Sequence, residues 1–344
     1  MSRMSKRWVV AGRPIGRPLQ ESDFRFEEAP LPALAEGQVV VRVCYLGFEP
    51  AIKGWMESKG KRAVSEIGEP IFSFGVGEVV ESNSPRLQPG DFVVGPMRWQ
   101  DYLVAAGHTL EKIDRDEWLT AHLGVAGISG FTAYFGLEKI GRPFPGDLAV
   151  VTSAAGAVGA AACQILKLAG CRVIGVAGGP EKCGWLESEL GIAAAIDYKR
   201  EDVGAALDRL APGGIDLMFD NVGGDQLNEV LGRLAYGGRV VLCGGISRYE
   251  CASPTGPANY FSLVPQNGTM SGFIAGTYAS EFPVARARLL RWLREGKMQS
   301  KIDVTVGLEN GPAALRGIFV GANFGKNVLE VAKPDSFLAA RGAC

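Results

Sequence analysis

Few side chains in this sequence are spaced for metal or covalent chemistry. Neither of its two histidines, His108 and His122, stands beside a cysteine or glutamate at ligand spacing, so each reads as a surface or satisfied core residue and a catalytic zinc is disfavoured. The seven cysteines (Cys44, Cys163, Cys171, Cys183, Cys243, Cys251 and Cys344) are scattered and never form C-x-x-C, as expected of reduced thiols in a cytosol. Gly127-Ile128-Ser129-Gly130 comes near a nucleophile elbow but has no strand immediately before it. What remains is the tyrosine hydroxyl, which can hold charge developing on a carbonyl oxygen and supply a proton. Tyr249 lies in Cys243-Gly-Gly-Ile-Ser-Arg-Tyr249, a loop that follows a strand, and Tyr45 ends another strand. A tyrosine at either place also serves as a core or rim residue.

A second chemical feature runs from Gly146 to Gly170. Ala149 to Thr152 form a short apolar strand, Ala154-Ala-Gly-Ala-Val-Gly159 makes a tight turn, and Val158, Ala161, Ile165 and Leu168 recur on one face of the following helix. Gly156 and Gly159 hold the second and third glycine positions of the dinucleotide fingerprint, with Ala154 in place of the first. Such a turn either brings backbone amides to a pyrophosphate or merely packs a strand against a helix. The next strand ends in Ala177-Gly178-Gly179, without the carboxylate that holds ribose hydroxyls in NAD sites, and Lys182 follows in the next helix. An absent anion and a present cation suit a 2′-phosphate and favour NADP, although Lys182 alone also reads as a solvated lysine at a helix start.

These residues need a scaffold. Residues 1 to about 125 carry short strands, such as Gly37–Tyr45, Gly75–Glu81 and Gly90–Gly95, separated by turns, which suggests a twisted, barrel-like β domain. From about Gly130 strands and helices alternate: Cys171–Ala177, a helix from near Pro180, Ala193–Asp197, a helix near Asp202–Leu210, Ile215–Asp220, a helix over Gln226–Leu234 and Gly238–Cys243. Parallel strands need such crossovers, so the pattern predicts a doubly wound parallel α/β sheet. A sixth strand is expected within Asn267–Ala275, an amphipathic helix over Glu281–Glu295, and a last strand at Val328–Ala332. The expected division is a β-rich domain from residues 1-125 plus 303-344, with the nucleotide domain, 126-302, inserted between them.

The 344 residues are 47% hydrophobic and 21% charged, a soluble globular composition with room for two domains. Thirty-six basic residues against 37 acidic ones leave a net charge of −1, which argues against a nucleic-acid surface and for a small ligand. Met1–Arg7 is followed by no apolar signal core and no stretch reads as a membrane span.

Gly130-Phe-Thr-Ala-Tyr-Phe-Gly136, Ala154–Gly159, Phe219-Asp-Asn-Val-Gly-Gly224, Cys243-Gly-Gly-Ile-Ser247 and Gly321-Ala-Asn-Phe-Gly-Lys326 together resemble the zinc-independent medium-chain dehydrogenase/reductases. The similarity is to the branch that holds leukotriene B4 12-hydroxydehydrogenase/prostaglandin reductases, alkenal double-bond reductases and curcumin reductases, and it spans nearly the whole chain. The resemblance implies a Rossmann sheet inserted in a GroES-like catalytic domain, with NADPH/NADP as cofactor. Carried over by position, Ala155, Gly156, Ala157, Val158 and Gly159 hold the pyrophosphate, and Gly179, Lys182 and Tyr198 sit at the 2′-phosphate. Asn221, Cys243, Gly244, Ile246, Ser247, Phe273, Ile274, Ala275 and Asn323 line the ribose and nicotinamide. Tyr249 matches the tyrosine that holds the substrate oxygen or protonates the enolate. The resemblance further implies a homodimer joined near Gly268–Ala275, and the scattered cysteines lead us to expect a cytoplasmic protein.

The sequence departs from that family where many relatives carry Asp-Pro-Tyr-Met-Arg. Glu49-Pro50-Ala51-Ile52-Lys53 stands there, with Ala51 for tyrosine and Lys53 for arginine. Together with Tyr45 and Tyr249, Ala51 is expected to border the substrate pocket, so the pocket is reshaped. Arg98-Trp-Gln-Asp-Tyr102 likewise alters a Trp-Ala-Glu-Tyr-like run. The expected activity is NADPH-dependent reduction of the carbon–carbon double bond of an unsaturated ketone or aldehyde. Quinone reduction, alcohol dehydrogenation and NADPH binding without turnover remain open at this stage.

Overall fold

The computed structural model describes residues 3–59, 64–116 and 118–334. Cys344 lies outside them. Two compact units emerge: one takes the chain up to Leu123, Ile302–Ala322 and the chain from Asn327 on; the other takes Gly124–Lys301 and Asn323–Lys326.

The first unit is mostly antiparallel. Strand β1 (Met4–Val10) pairs with β2 (Phe24–Pro30) in a two-stranded sheet. The main strands are β3 (Gln38–Gly47), β4 (Phe72–Ser82), β5 (Phe92–Arg98), β6 (Tyr102–Ala106) and β7 (Glu111–Ile113), with helix α1 (Ala51–Glu57) between β3 and β4. Valines 39, 40, 41 and 43 of β3 are all buried, which suits a strand covered on both faces. Its exception, Arg42, lies opposite Glu78 of β4 and bonds it at 2.6 Å.

The second unit is built from alternating strands and helices. Helix α2 (Ile128–Phe135) precedes β8 (Leu148–Thr152), α3 (Ala157–Leu168), β9 (Arg172–Ala177), α4 (Pro180–Ser188), β10 (Ala194–Asp197), α5 (Val203–Leu210), β11 (Ile215–Asp220), α6 (Gly224–Leu231), β12 (Leu234–Leu242), β13 (Thr269–Gly272) and α7 (Phe282–Arg294). All six strands are parallel, in the order β10-β9-β8-β11-β12-β13. This is the dinucleotide-binding order 3-2-1-4-5-6, in which winding reverses between β8 and β11. Local chemistry agrees with these elements. Pro180 opens α4 where no amide partner is needed, and the Asp202 carboxylate accepts the Ala205 N–H at 2.8 Å to cap α5. In α7, Ala285, Leu289 and Leu293 bury one helical stripe, leaving most arginines outside it.

The chain then returns to the first unit with β14 (Ile302–Val306), helix α8 (Gly311–Phe319) and β15 (Lys326–Glu330). These strands complete a seven-stranded order β14-β15-β3-β4-β5-β7, with β6 paired to β3. The last strand therefore begins two residues before the expected Val328. Helix α6 stops at Leu231, and β12 begins at Leu234, before the expected Gly238; a register shift between Ile215 and Leu217 accommodates that early pairing. Leu168, expected on the buried face of α3, is 41% exposed because the helix ends there and runs out over solvent.

Candidate nucleotide and active site

The turn after β8 is shaped by close packing. Ser153 adopts a positive φ of 50°, and the Ala154 N–H donates to the Val176 carbonyl of β9 at 3.0 Å. A Cβ on Gly159 would sit 2.2 Å from the Ser153 carbonyl oxygen, so α3 can start this near the strand only with glycine there. Gly156 is the N-cap and offers no side-chain acceptor, so the amides of Ala157, Val158 and Gly159 have no side-chain cap. An anion fits that cradle, because first-turn amides and the helix dipole both favour negative charge. The segment carrying Asn323 belongs to this unit: Gly325 N–H donates to the Ala155 carbonyl at 2.9 Å, and Asn323 Nδ2 donates to the Gly325 carbonyl at 3.0 Å.

At the end of β9, Gly179 takes a φ of +98° and donates its N–H to Asp197 Oδ1 at 2.8 Å. The Lys199 N–H shares that oxygen at 3.1 Å. The Gly179 amide first, and then the Lys199 amide and nearby cations, hold the Asp197 carboxyl below its ordinary range against the opposing effect of desolvation. Thus a carboxylate does stand near this turn, but at the end of β10 and engaged with backbone amides. Tyr198 lies against the turn, since a Cβ on Gly178 would meet its Cε1 at 2.9 Å, and its ring is 45% exposed. Lys182 lies half-buried in the first turn of α4. A cation and a half-exposed phenol therefore flank a turn whose Asp197 carboxylate is engaged by backbone amides, with Glu181 exposed in the first turn of α4; Lys182 and Tyr198 are the groups there that fit a phosphate.

The winding reversal between β8 and β11 holds a buried polar network. Thr152 Oγ1 donates to Asp220 Oδ1 at 2.8 Å and accepts the Asn221 N–H at 2.8 Å. Asn221 Nδ2 donates to the Thr152 carbonyl at 2.7 Å. Asp220 is fully buried and also accepts the N–H groups of Val222 and Gly223. Desolvation raises its carboxyl above the ordinary value, with those donors opposing. Its carbonyl accepts the N–H groups of Cys243 and Gly244 at 2.9 and 3.1 Å. Ser247 ties the loop further, bonding the Val222 carbonyl through both its N–H and its hydroxyl. One turn of 3-10 helix, Ile246–Arg248, then delivers the half-buried Tyr249. Burial pushes the Cys243 thiol up to about 12, with the nearby Asp220 adding to the shift.

Most expected site residues thus gather at one sheet edge. The residues after Thr152, Ala177, Asp220, Leu242 and Gly272 all follow the carboxyl ends of parallel strands, where such sheets bind ligands. Of the trio after β13, Phe273 is half-buried, Ile274 is 76% exposed and Ala275 is buried. Tyr45 and Ala51 belong to the other unit. Tyr45 lies in β3 opposite Val76, and burial raises its phenol, with Glu330 adding to the shift. Ala51 opens α1, half-buried. In the same unit Trp55 of α1 packs edge-on against Phe72 at 5.0 Å and Phe74 at 6.3 Å. Sequence reasoning missed those aromatics, together with the roles of Thr152 and Asp220, and marked Lys53 only as standing in place of an arginine. The Asp220-Asn221 pair at a strand end was the available signal for the network. Ser129, the near-elbow serine, is buried within α2.

Among the described residues no group of three or more histidine, cysteine, aspartate or glutamate side chains is placed to hold a metal ion. No helix among them is long and apolar enough to cross a membrane.

Residues 6–113 match a family model described as the N-terminal domain of oxidoreductase, and residues 157–291 one described as zinc-binding dehydrogenase. The chain is 39% identical over 339 residues to the NADPH-dependent curcumin reductase of Escherichia coli (strain K12), covering 96% of this chain and 98% of that protein. It is 36% identical over 337 residues to the 2-alkenal reductase (NADP(+)-dependent) of Nicotiana tabacum, with 96% and 98% covered. Among solved structures it is similar to CurA from Vibrio vulnificus in complex with NADPH, with a TM-score of 0.90 and 36% identity over 96% of this chain and 100% of that one.

Proposed function

This chain belongs to the zinc-independent branch of the medium-chain dehydrogenase/reductases and is an NADP-dependent oxidoreductase, and from that premise we propose that it reduces the carbon–carbon double bond of α,β-unsaturated ketones or aldehydes. The observation that carries this reading is the convergence, at one carboxyl edge, of the glycine cradle, the Lys182 and Tyr198 turn and the Tyr249 loop.

In this reading the amides of Ala157–Gly159 hold the pyrophosphate, and Lys182 with Tyr198 holds the 2′-phosphate. When bound, NADPH would supply the hydride that reduces the acceptor's double bond. Tyr249 donates its O–H to the carbonyl oxygen, where the negative charge collects, and solvent delivers the proton to the α-carbon. The buried Thr152-Asp220-Asn221 network keeps the Asn221 and Cys243–Tyr249 segments from drifting, as such chemistry requires. Tyr45 and Ala51 border the acceptor.

The reading extends to assembly and place. Strand β13 ends the sheet order, and Phe261, Val264 and Ile274 around it are each more than half exposed, which supports a homodimer through this edge. Free thiols at Cys44, Cys163, Cys171, Cys183, Cys243 and Cys251 suit the cytoplasm.

The test is an NADPH-oxidation screen over enals, enones, quinones and carbonyls, with NADH as control. Enones and enals turn over with NADPH, poorly with NADH, and Tyr249→Phe lowers kcat about 10²-fold. Preference for quinones, or a Tyr249→Phe enzyme that turns over every enone normally, sinks the assignment.

A further inference from the structure

Lys53 is among the largest fully buried side chains of the molecule, with no exposed surface on its side chain. Its ammonium donates to the Pro14 carbonyl at 2.9 Å and pairs with Glu57 one turn along α1. From the other direction Arg13 Nη1 donates to the Met56 carbonyl at 2.9 Å and to the Ser58 carbonyl, and Arg13 also pairs with Glu66. Residues 13 and 14 therefore grip α1 twice, once at its end and once through its middle.

Helix α1 also buries Ile52 and Met56 completely, which seats it against the core. It is seven residues long, below the length at which a helix is stable by itself, and its N-cap, Pro50, provides no side-chain bond. Stability is a poor reason for a buried cation, because an apolar side chain of similar length packs as well without desolvation. What the bond to the Pro14 carbonyl, outside the helix, adds is direction, while the Glu57 pair lies within α1 and neutralises the buried charge. Residues 51 and 55 are one turn apart on a face roughly opposite residue 53. That face carries Ala51 and Trp55; Trp55 meets Phe74, and Phe74 and Tyr45 each pack against the same core cluster.

We infer that Lys53 is a positioning residue for acceptor selection: bonded to the Pro14 carbonyl, it adds the polar tether that fixes the rotation of α1 and so presents Ala51 and Trp55, with Phe74 and Tyr45, as an apolar wall for a flat, aryl-conjugated enone. This rests on the reading that Tyr45 and Ala51 border the acceptor. Ala51 is a small side chain on the same face as Trp55, and planar π systems pack on aromatic rings with a fixed geometry.

The test compares wild type, Lys53→Met, Lys53→Met with Glu57→Gln, and Lys53→Arg, using 4-phenyl-3-buten-2-one and 3-penten-2-one at saturating NADPH. Fluorine NMR of 5-fluorotryptophan protein, with the Trp55 signal identified by its loss in Trp55→Phe, reports α1 without any turnover. The expected result is a Trp55 resonance that shifts or splits in both methionine variants and returns in Lys53→Arg. The KM for the aryl enone rises about ten- to hundredfold while kcat and the KM for NADPH hold, so discrimination between the two enones falls. An unmoved Trp55 resonance overturns the positioning role, whichever acceptor the enzyme uses. A moved resonance with unchanged enone discrimination overturns the selection role, as do equal losses for both enones that merely track a lower unfolding midpoint. A wild type that reduces neither enone instead defeats the proposed reaction and with it the aryl-enone wall, while the resonance still decides the grip on α1.

Discussion

At the scale of single residues, the cradle turns on Gly159. A methyl group there would meet the Ser153 carbonyl oxygen at 2.2 Å, against backbone that cannot swing aside as a side chain can. Gly159→Ala must push α3 from β8 and spread the amides that face the pyrophosphate. The expected outcome is a loss of about 1–3 kcal/mol in stability by thermal or urea unfolding, with a larger proportional loss in NADPH affinity by fluorescence titration. Unaltered affinity would show that the turn only packs. The places of Gly156, Gly159, Lys182 and Tyr249 in the fold were legible because fingerprint spacing and position after a strand are properties of the linear chain. Thr152 and Asp220 are 68 residues apart, and their 2.8 Å bond exists only because the sheet order makes β8 and β11 neighbours. The missing carboxylate after β9 was read correctly from sequence, whereas Asp197 could be placed near it only by the pairing of β10 with β9.

At the scale of elements, the segment leading into β2 is organised by one carboxylate. Asp23 is 1% exposed, accepts two bonds from Arg17 at 2.9 and 2.6 Å, and takes the Gln20 N–H at 2.8 Å. Desolvation opposes ionisation, but the Arg17 bonds, the Gln20 amide and the nearby Lys53 charge prevail and hold its carboxyl below the ordinary range. A carboxylate depressed in the folded state stabilises fully above its unfolded value of about 3.9 and loses that contribution as pH falls through the folded value. Asp23→Asn should therefore cost about 1–3 kcal/mol near neutrality, and the gap from wild type should close on acidification below pH ~4. Urea midpoints of both proteins between pH 7 and pH 3 check this; a gap independent of pH assigns the loss to packing. The parallel strands were legible from their apolar runs and helical spacers. Helix α1 was not, because seven residues holding Gly54 give no amphipathic period, and its anchors at Arg13 and Pro14 lie about 40 positions away in sequence.

At the scale of the whole molecule, the return of the C-terminal strands β14 and β15 to the first unit was legible as a change of texture after about residue 302. The four residues Asn323–Lys326 were not, since contacts that exist only in the folded chain draw them to the nucleotide unit, among them the Gly325–Ala155 bond, the Lys326 N–H to the Lys301 carbonyl at 2.9 Å and the packing of Phe324 against Trp185 at 5.0 Å. Assembly raises a different problem, because an edge strand offers its own backbone to any second strand. Strand β13 occupies such an edge, and the turn before it carries Phe261 at 68% and Val264 at 64% exposure. Charges at those two positions leave the β12–β13 ladder intact but place desolvation costs at the centre of any contact through the edge. Sedimentation of the wild type should therefore report a species of twice the 36.5 kDa chain mass. The double variant Phe261→Glu, Val264→Glu should sediment as single chains with its far-UV circular dichroism unchanged. A wild type that stays monomeric at every concentration, or a double variant that still dimerises, would place the subunit contact elsewhere or remove it.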